Sequence, residues 1–166
     1  MIFVTVGTHE QPFNRLVQYM DQLKEQKKIL EEVIIQTGFS TYIPRFCKYE
    51  TIFSYQEMNK YVEQARIVIT HGGPSSFIMA LQKGKIPIVV PRQKQFGEHV
   101  NDHQLDFART VAGHYKNILV ISDICGLEET ILNYENLIKD MTARTESNNE
   151  SFNKGLEAII NALVKH

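Results

Sequence analysis

Ile67-Val68-Ile69-Thr70-His71-Gly72-Gly73-Pro74-Ser75-Ser76-Phe77 decides the reading of this chain. Four β-favouring residues with no polar alternation read as a strand buried on both faces. Gly72 and Gly73 allow a tight turn with a close backbone approach. Pro74 suits the first turn of a helix, and Phe77, Ala80 and Leu81 continue at helical spacing until Gly84. The stretch is therefore strand, glycine turn, helix, the unit from which parallel α/β sheets are built.

Working outward, the same alternation recurs. Further strands are expected at Ile2–Val6, Val33–Gln36, Ile86–Val90 and Ile118–Ile121, with a weaker one over Thr51–Phe53. Helical spacing joins Phe13, Leu16, Val17, Met20 and Leu23, where Thr8 with Gln11 resembles a capping box ahead of Pro12. Met58, Tyr61 and Val62 suggest a second helix. Leu105, Ala108 and Val111 suggest another, ending near Gly113, and Leu127, Ile131 and Leu132 a further one. The fold class expected is α/β, a single Rossmann-like, doubly wound parallel sheet over residues 1–141. A polar linker is expected at 142–150. An amphipathic helix at 151–166 follows, with Phe152, Leu156, Ile159, Ile160 and Leu163 as its apolar stripe, either packed on its own sheet or docked on a partner.

Composition bounds the function. The chain has 166 residues, enough for one domain with its own core. Eighteen Lys and Arg against nineteen Asp and Glu give a net charge of −1, which argues against a duplex nucleic-acid binder. Cys47 and Cys125 form no CxxC pair and read as reduced thiols of a cytoplasmic protein. No apolar run approaches the ~20 residues that span a bilayer.

Ligands of doubly wound sheets bind at the carboxyl ends of the strands. The segments expected there are Gly7-Thr8-His9-Glu10, Thr37-Gly38-Phe39-Ser40, His71 to Ser76, and the polar loop from Pro91 to Gln104. In His71-Gly72-Gly73-Pro74-Ser75-Ser76 a helix N-terminus, two hydroxyls and an imidazole converge, a set that suits a diphosphate. A plain tight turn is the simpler alternative. His99, Asp102 and His103 have spacing that a metal site uses, but no third ligand at helical spacing accompanies the histidines. GxxxxGK[ST], GxGxxG and GxSxG are all absent.

Val4-Thr5-Val6-Gly7-Thr8, Gln36-Thr37-Gly38, Ile69 to Ser76 and Asn101-Asp102-His103-Gln104-Leu105 stand in the order found in one family. The chain resembles the C-terminal, donor-binding domain of GT-B glycosyltransferases of family 28. It is most similar to the small one-domain members: the eukaryotic catalytic subunit of the dolichol-linked N-acetylglucosaminyltransferase, and PssE/EpsF-type exopolysaccharide or capsule subunits. The resemblance implies the C-terminal half of a GT-B fold and inverting transfer of a hexose, galactose or N-acetylglucosamine, from a UDP-sugar to a polyprenyl-diphosphate-linked saccharide. It implies no cofactor and no metal. It also implies a membrane-anchored, acceptor-binding partner subunit that resembles a GT-B N-terminal half and recruits this cytoplasmic chain to the inner face of the membrane.

By the same resemblance, Gly7 and Thr8 form a phosphate-side loop near Gly38, and Phe53, Ser54 and Tyr55 lie against uracil. His71, Gly72, Gly73, Pro74, Ser75 and Ser76 hold the diphosphate, with the His71 charge among the stabilising groups. His103 and Gln104 contact sugar hydroxyls. Met79 stands where the family often has a ribose-binding Glu, so either another group, with Glu98 the obvious candidate, holds ribose or nucleotide binding is weakened. The general base is expected in the partner, with His9 the nearest candidate in this chain. A non-catalytic nucleotide-sugar-binding or regulatory subunit is the alternative, favoured by Met79.

Overall fold

The computed structural model describes residues 1–143. Its strands are β1 (Ile2–Thr5), β2 (Val33–Gln36), β3 (Lys48–Glu50), β4 (Ile67–Thr70), β5 (Ile88–Val89) and β6 (Leu119–Val120). Among the described residues they form one parallel sheet in the order β3-β2-β1-β4-β5-β6. The helices are α1 (Asn14–Glu25), α2 (Tyr55–Gln64), α3 (Pro74–Gln82), α4 (His103–Tyr115), α5 (Leu127–Leu132) and α6 (Tyr134–Ile138).

The strands lack polar alternation because both faces are covered. Ile2, Val4, Ile67, Ile69 and Ile88 pack with Leu16, Met20 and Leu23 of α1 and with Leu127 and Ile131 of α5. On the opposite face Phe3 and Val68 meet Val62 of α2 and Ala80 of α3, and Val89 meets Phe77, Leu81 and Ala108 of α3 and α4. All four residues of each of β1, β2 and β4 are buried. Burial of one such aliphatic side chain is worth about 1.5–3 kcal/mol.

The strand order reverses between β1 and β4. Strands β2 and β3 lie to one side of β1, and β4, β5 and β6 to the other. The loops leaving β1 and β4 diverge at this switch point and leave a crevice between them, where ligands of such sheets bind.

Three local expectations are corrected. The outer strand is Lys48–Glu50 and not Thr51–Phe53, because the Phe53 ring turns under the sheet against Phe3 and Tyr61. Every residue of β3 is exposed, so no apolar run marks it. Thr8 and Gln11 form no capping box. Helix α1 starts at Asn14 without a side-chain cap, because the Gln11 amide donates to His9 Nδ1 and its carbonyl accepts from buried Arg92. Helix α4 runs through Gly113 and stops at Lys116, whose φ is 49°. Helix α6 carries too short an apolar pattern to be anticipated. The linker beyond residue 143 and the helix expected at 151–166 lie outside the described residues.

Candidate nucleotide-sugar site at the strand crossover

A cleft of about 470 Å³ opens at the switch point, within the range of small-molecule sites. The loop after β1 supplies Gly7, Thr8 and His9. The loop after β4 and the start of α3 supply His71, Ser75, Ser76 and Met79. Phe53 and Tyr55 form the far wall, and Gln104 of α4 closes the near side.

The backbone at this end is close-packed around one imidazole. A Cβ on Gly7 would lie 2.5 Å from His71 Cε1, and Gly7 has a φ of 74°, which a side chain strains. A Cβ on Gly73 would lie 2.3 Å from His71 Nε2. The two glycines are therefore fixed by the ring between them. Gly72 backs onto Gln104, and Gly38 onto the Gly7 carbonyl, beneath the cleft.

Helix α3 begins with no side-chain cap and with Pro at its first position. Ser75 and Ser76 of its first turn line the cleft, at the positive end of the dipole, and the Ser76 N–H donates to the Gly73 carbonyl at 3.2 Å. Among the described residues, Thr70 Oγ1 and His71 Nδ1 are buried without a hydrogen-bond partner. Burial, and next the nearby Arg92 cation, lower the His71 pKa to about 4. His71 is thus neutral at pH 7. It offers an N–H donor, and the charge expected of it is absent.

The structure brings Gly7, Thr8, His71, Ser75, Ser76 and Gln104 together in the cleft, and places other expected residues differently. Phe53 is mostly core, while Tyr55 is exposed and reaches the cleft. Ser54 does not line it. Its hydroxyl and amide are spent in a capping box with Glu57 at the start of α2. Pro74 is exposed at the helix start. His103 is exposed beside Gln104 and does not line the cleft. Glu98 is corrected outright. It is buried, its carboxylate accepts from Arg15 Nε and Nη2 at 2.8 Å and from the Gln93 amide at 3.0 Å, and it faces a groove along α1. It does not line the cleft where a ribose would lie. His9 lines the cleft, but its Nδ1 accepts from the Gln11 N–H at 3.2 Å. That bond ties one ring nitrogen into the β1–α1 loop.

Sequence reasoning missed three structural supports. Gln36 is buried at the end of β2, donating to Thr5 Oγ1 and accepting from the Phe53 amide. Thr5 Oγ1 also accepts from the Gly7 amide. Arg92 is fully buried; Nη1 and Nη2 donate to the carbonyls of Gln11, Glu98 and Val6, and the guanidinium lies 4.9 Å from the Phe13 ring centre. Desolvation lowers its pKa to about 10, so it stays charged. Its place directly after a strand at the carboxyl edge was the available signal.

Among the described residues no group of three or more His, Cys, Asp or Glu is placed to hold a metal ion. His99 and His103 sit edge to face at 4.5 Å between ring centres, without a converging third ligand.

The crystal structure of the glycotransferase of kitacinnamycin shares this fold with a TM-score of 0.58 and 16% identity, over 80% of this chain and 34% of that one. The human UDP-N-acetylglucosamine transferase subunit ALG13 is 30% identical over 117 residues, which are 65% of this chain and 10% of that protein. The mouse protein of the same name is 31% identical over 117 residues, 64% of this chain and 9% of its own. The chain thus spans about a tenth of these relatives' length. The model of the glycosyltransferase family 28 C-terminal domain matches residues 1–160. The match takes in the glycine turn at the switch point and every loop that lines the cleft, and the chain belongs to that family.

Proposed function

We propose that this chain is the donor-binding subunit of an inverting, two-component glycosyltransferase. It takes a hexose from a UDP-sugar and gives it to a polyprenyl-diphosphate-linked saccharide. The observation that carries the reading is the uncapped start of α3, opening with Ser75 and Ser76 into a cleft at the switch point. A diphosphate there accepts from backbone N–H groups and the dipole stabilises its charge, most strongly as UDP leaves. Tyr55 and the exposed Ile52 give the uracil an apolar wall. Family membership and the word "subunit" in the relatives' names support a partner.

The partner is a membrane-anchored, acceptor-binding chain that brings this one to the inner face of the membrane. Among the described residues no helix is long and apolar enough to cross a bilayer. The donor named for the relatives is UDP-N-acetylglucosamine, so it is set first, with UDP-galactose, the donor of an exopolysaccharide or capsule role, as competitor. Calorimetry should show UDP binding, tighter with one of the two sugars, and no comparable binding of GDP. Absence of UDP binding at millimolar concentration would remove the proposal.

A second reading, a non-catalytic nucleotide-sugar-binding subunit, has one observation in its favour. None of the described side chains lining the cleft is a carboxylate, and Met79 occupies the α3 wall. UDP binding without transfer in the assembled complex would select this reading.

A further inference from the structure

Gly7, Thr8 and His9 form one wall of the cleft, yet they belong to no strand or helix. A side chain from across the sheet holds them. Arg92 follows β5, and its Nη2 donates to the Val6 carbonyl at 2.9 Å while its Nη1 donates to the Gln11 carbonyl at 2.7 Å. These two carbonyls stand at the two ends of the cleft-wall loop. Nη1 also donates to the Glu98 carbonyl at 3.1 Å, and the Arg92 amide donates to Gln104 Oε1 at 3.3 Å. One residue thus ties together the loop after β1, the loop after β5 and the Gln104 wall.

The pinned loop stands opposite the start of α3. A Cβ on Gly7 and a Cβ on Gly73 would both run into the His71 ring. A single imidazole therefore separates the loop from the glycine turn that opens α3.

The charge behind the loop is unbalanced. Arg92 is fully buried. The nearby Glu98 carboxylate is taken by Arg15 Nε and Nη2 and by the Gln93 amide. Among the described residues Arg92 forms no ion pair of its own, and its Nε is buried without a hydrogen-bond partner. The Arg15 and Arg92 guanidiniums lie 5.3 and 4.9 Å from the centre of the same Phe13 ring. Two guanidiniums and one carboxylate leave a positive charge in excess in this cluster. Carbonyl dipoles compensate it only in part, and a buried charge is costly until an opposite charge comes near. Its field reaches the cleft side: after burial itself, Arg92 is the next cause that holds the His71 ring neutral. A field that disfavours a cation there favours an anion.

We propose that Arg92 is the positioning residue for the anionic end of the donor. It pins both ends of the loop that carries Gly7, Thr8 and His9 and sets a buried positive charge behind it, so that the cleft prefers a nucleoside diphosphate to the uncharged nucleoside. The inference rests on the donor-subunit reading above. Arg92 does not line the cleft. It acts through the Val6 and Gln11 carbonyls and through its field, while the wall at Ile52 and Tyr55 is outside its reach of hydrogen bonds.

Titrations of the intact chain with UDP and with uridine test this. Arg92→Met should weaken UDP binding by about tenfold or more and leave uridine binding within about threefold of the wild-type value. A merely structural role would weaken both ligands alike. Equal losses for UDP and uridine, or UDP affinity unchanged in the folded variant, overturn the proposal. Arg92→Lys keeps the charge without the two-pronged grip, and its loss of UDP affinity should be smaller than that of Arg92→Met. A measurement on the wild-type chain stands apart from the folding of either variant. The Arg92 Nε–H resonance should shift on saturation with UDP and stay in place with uridine, and a resonance that UDP leaves unmoved overturns the proposal. A wild-type chain that binds uridine but not UDP, or neither, defeats the donor-subunit reading itself. UDP binding that is indifferent to Arg92 defeats only this inference.

Discussion

Gly73 and His71 hold the site at the level of single atoms. Since a Cβ on Gly73 would lie 2.3 Å from His71 Nε2, Gly73→Ala must displace the imidazole from the start of α3. The expected result is at least a tenfold loss of UDP affinity by calorimetry, about 1.4 kcal/mol, with an unchanged far-ultraviolet spectrum. His71 also makes a pH prediction. Its folded pKa, about 4, lies below the 6.5 of an unperturbed imidazole. Between these values the unfolded chain binds the extra proton, so His71 lowers stability progressively as pH falls from 6.5 toward 4. A depression of this size corresponds to a loss of about 3 kcal/mol below pH 4. Urea titrations at pH 7 and pH 4.5 should show a smaller difference for His71→Gln than for the wild-type chain. A diphosphate beside the ring opposes the depression. UDP binding at pH 6 should therefore take up protons, read as a dependence of binding enthalpy on the buffer's ionisation enthalpy.

Among the elements, α2 and α3 show two opposite treatments of a helix start. Helix α2 is closed by a complete capping box, Ser54 with Glu57, while α3 starts uncapped toward the cleft. The first is structural and the second is free to bind. Ser54→Ala should accordingly cost about 1 kcal/mol of unfolding free energy and leave UDP affinity unchanged. A loss of affinity without a loss of stability would return Ser54 to the binding site. Helix α1 shows how a polar core residue fixes a loop. Asp21 is buried and its carboxylate accepts from the Tyr42 hydroxyl and from the amides of Arg45, Phe46 and Cys47. These bonds hold Asp21 below the usual carboxylate range against the burial that would raise it. They place the chain for β3, an edge strand that packing does not hold.

For the whole molecule, the proposed donor site rests on the parallel sheet, its crossover and the helix dipole, and transfer is expected to need no metal ion. The assembled complex should keep its transfer activity in excess EDTA. Activity lost to the chelator and restored by manganese or magnesium would overturn this and return attention to His99, Asp102 and His103. What was legible from sequence follows from where the information is stored. The runs Val33–Gln36 and Ile67–Thr70 matched their strands residue for residue, since a strand buried on both faces shows no polar alternation. The glycine turn at His71–Ser76 was legible because chain reversal and close approach restrict residue type locally. The exposed strand Lys48–Glu50 had no such mark. The charge of His71 and the sequestration of Glu98 by Arg15 were decided only by the tertiary structure. A titrating or hydrogen-bonding side chain takes its state from the partners and desolvation it meets. The Arg15–Glu98 pair joins residues 83 positions apart, and no local pattern encodes it.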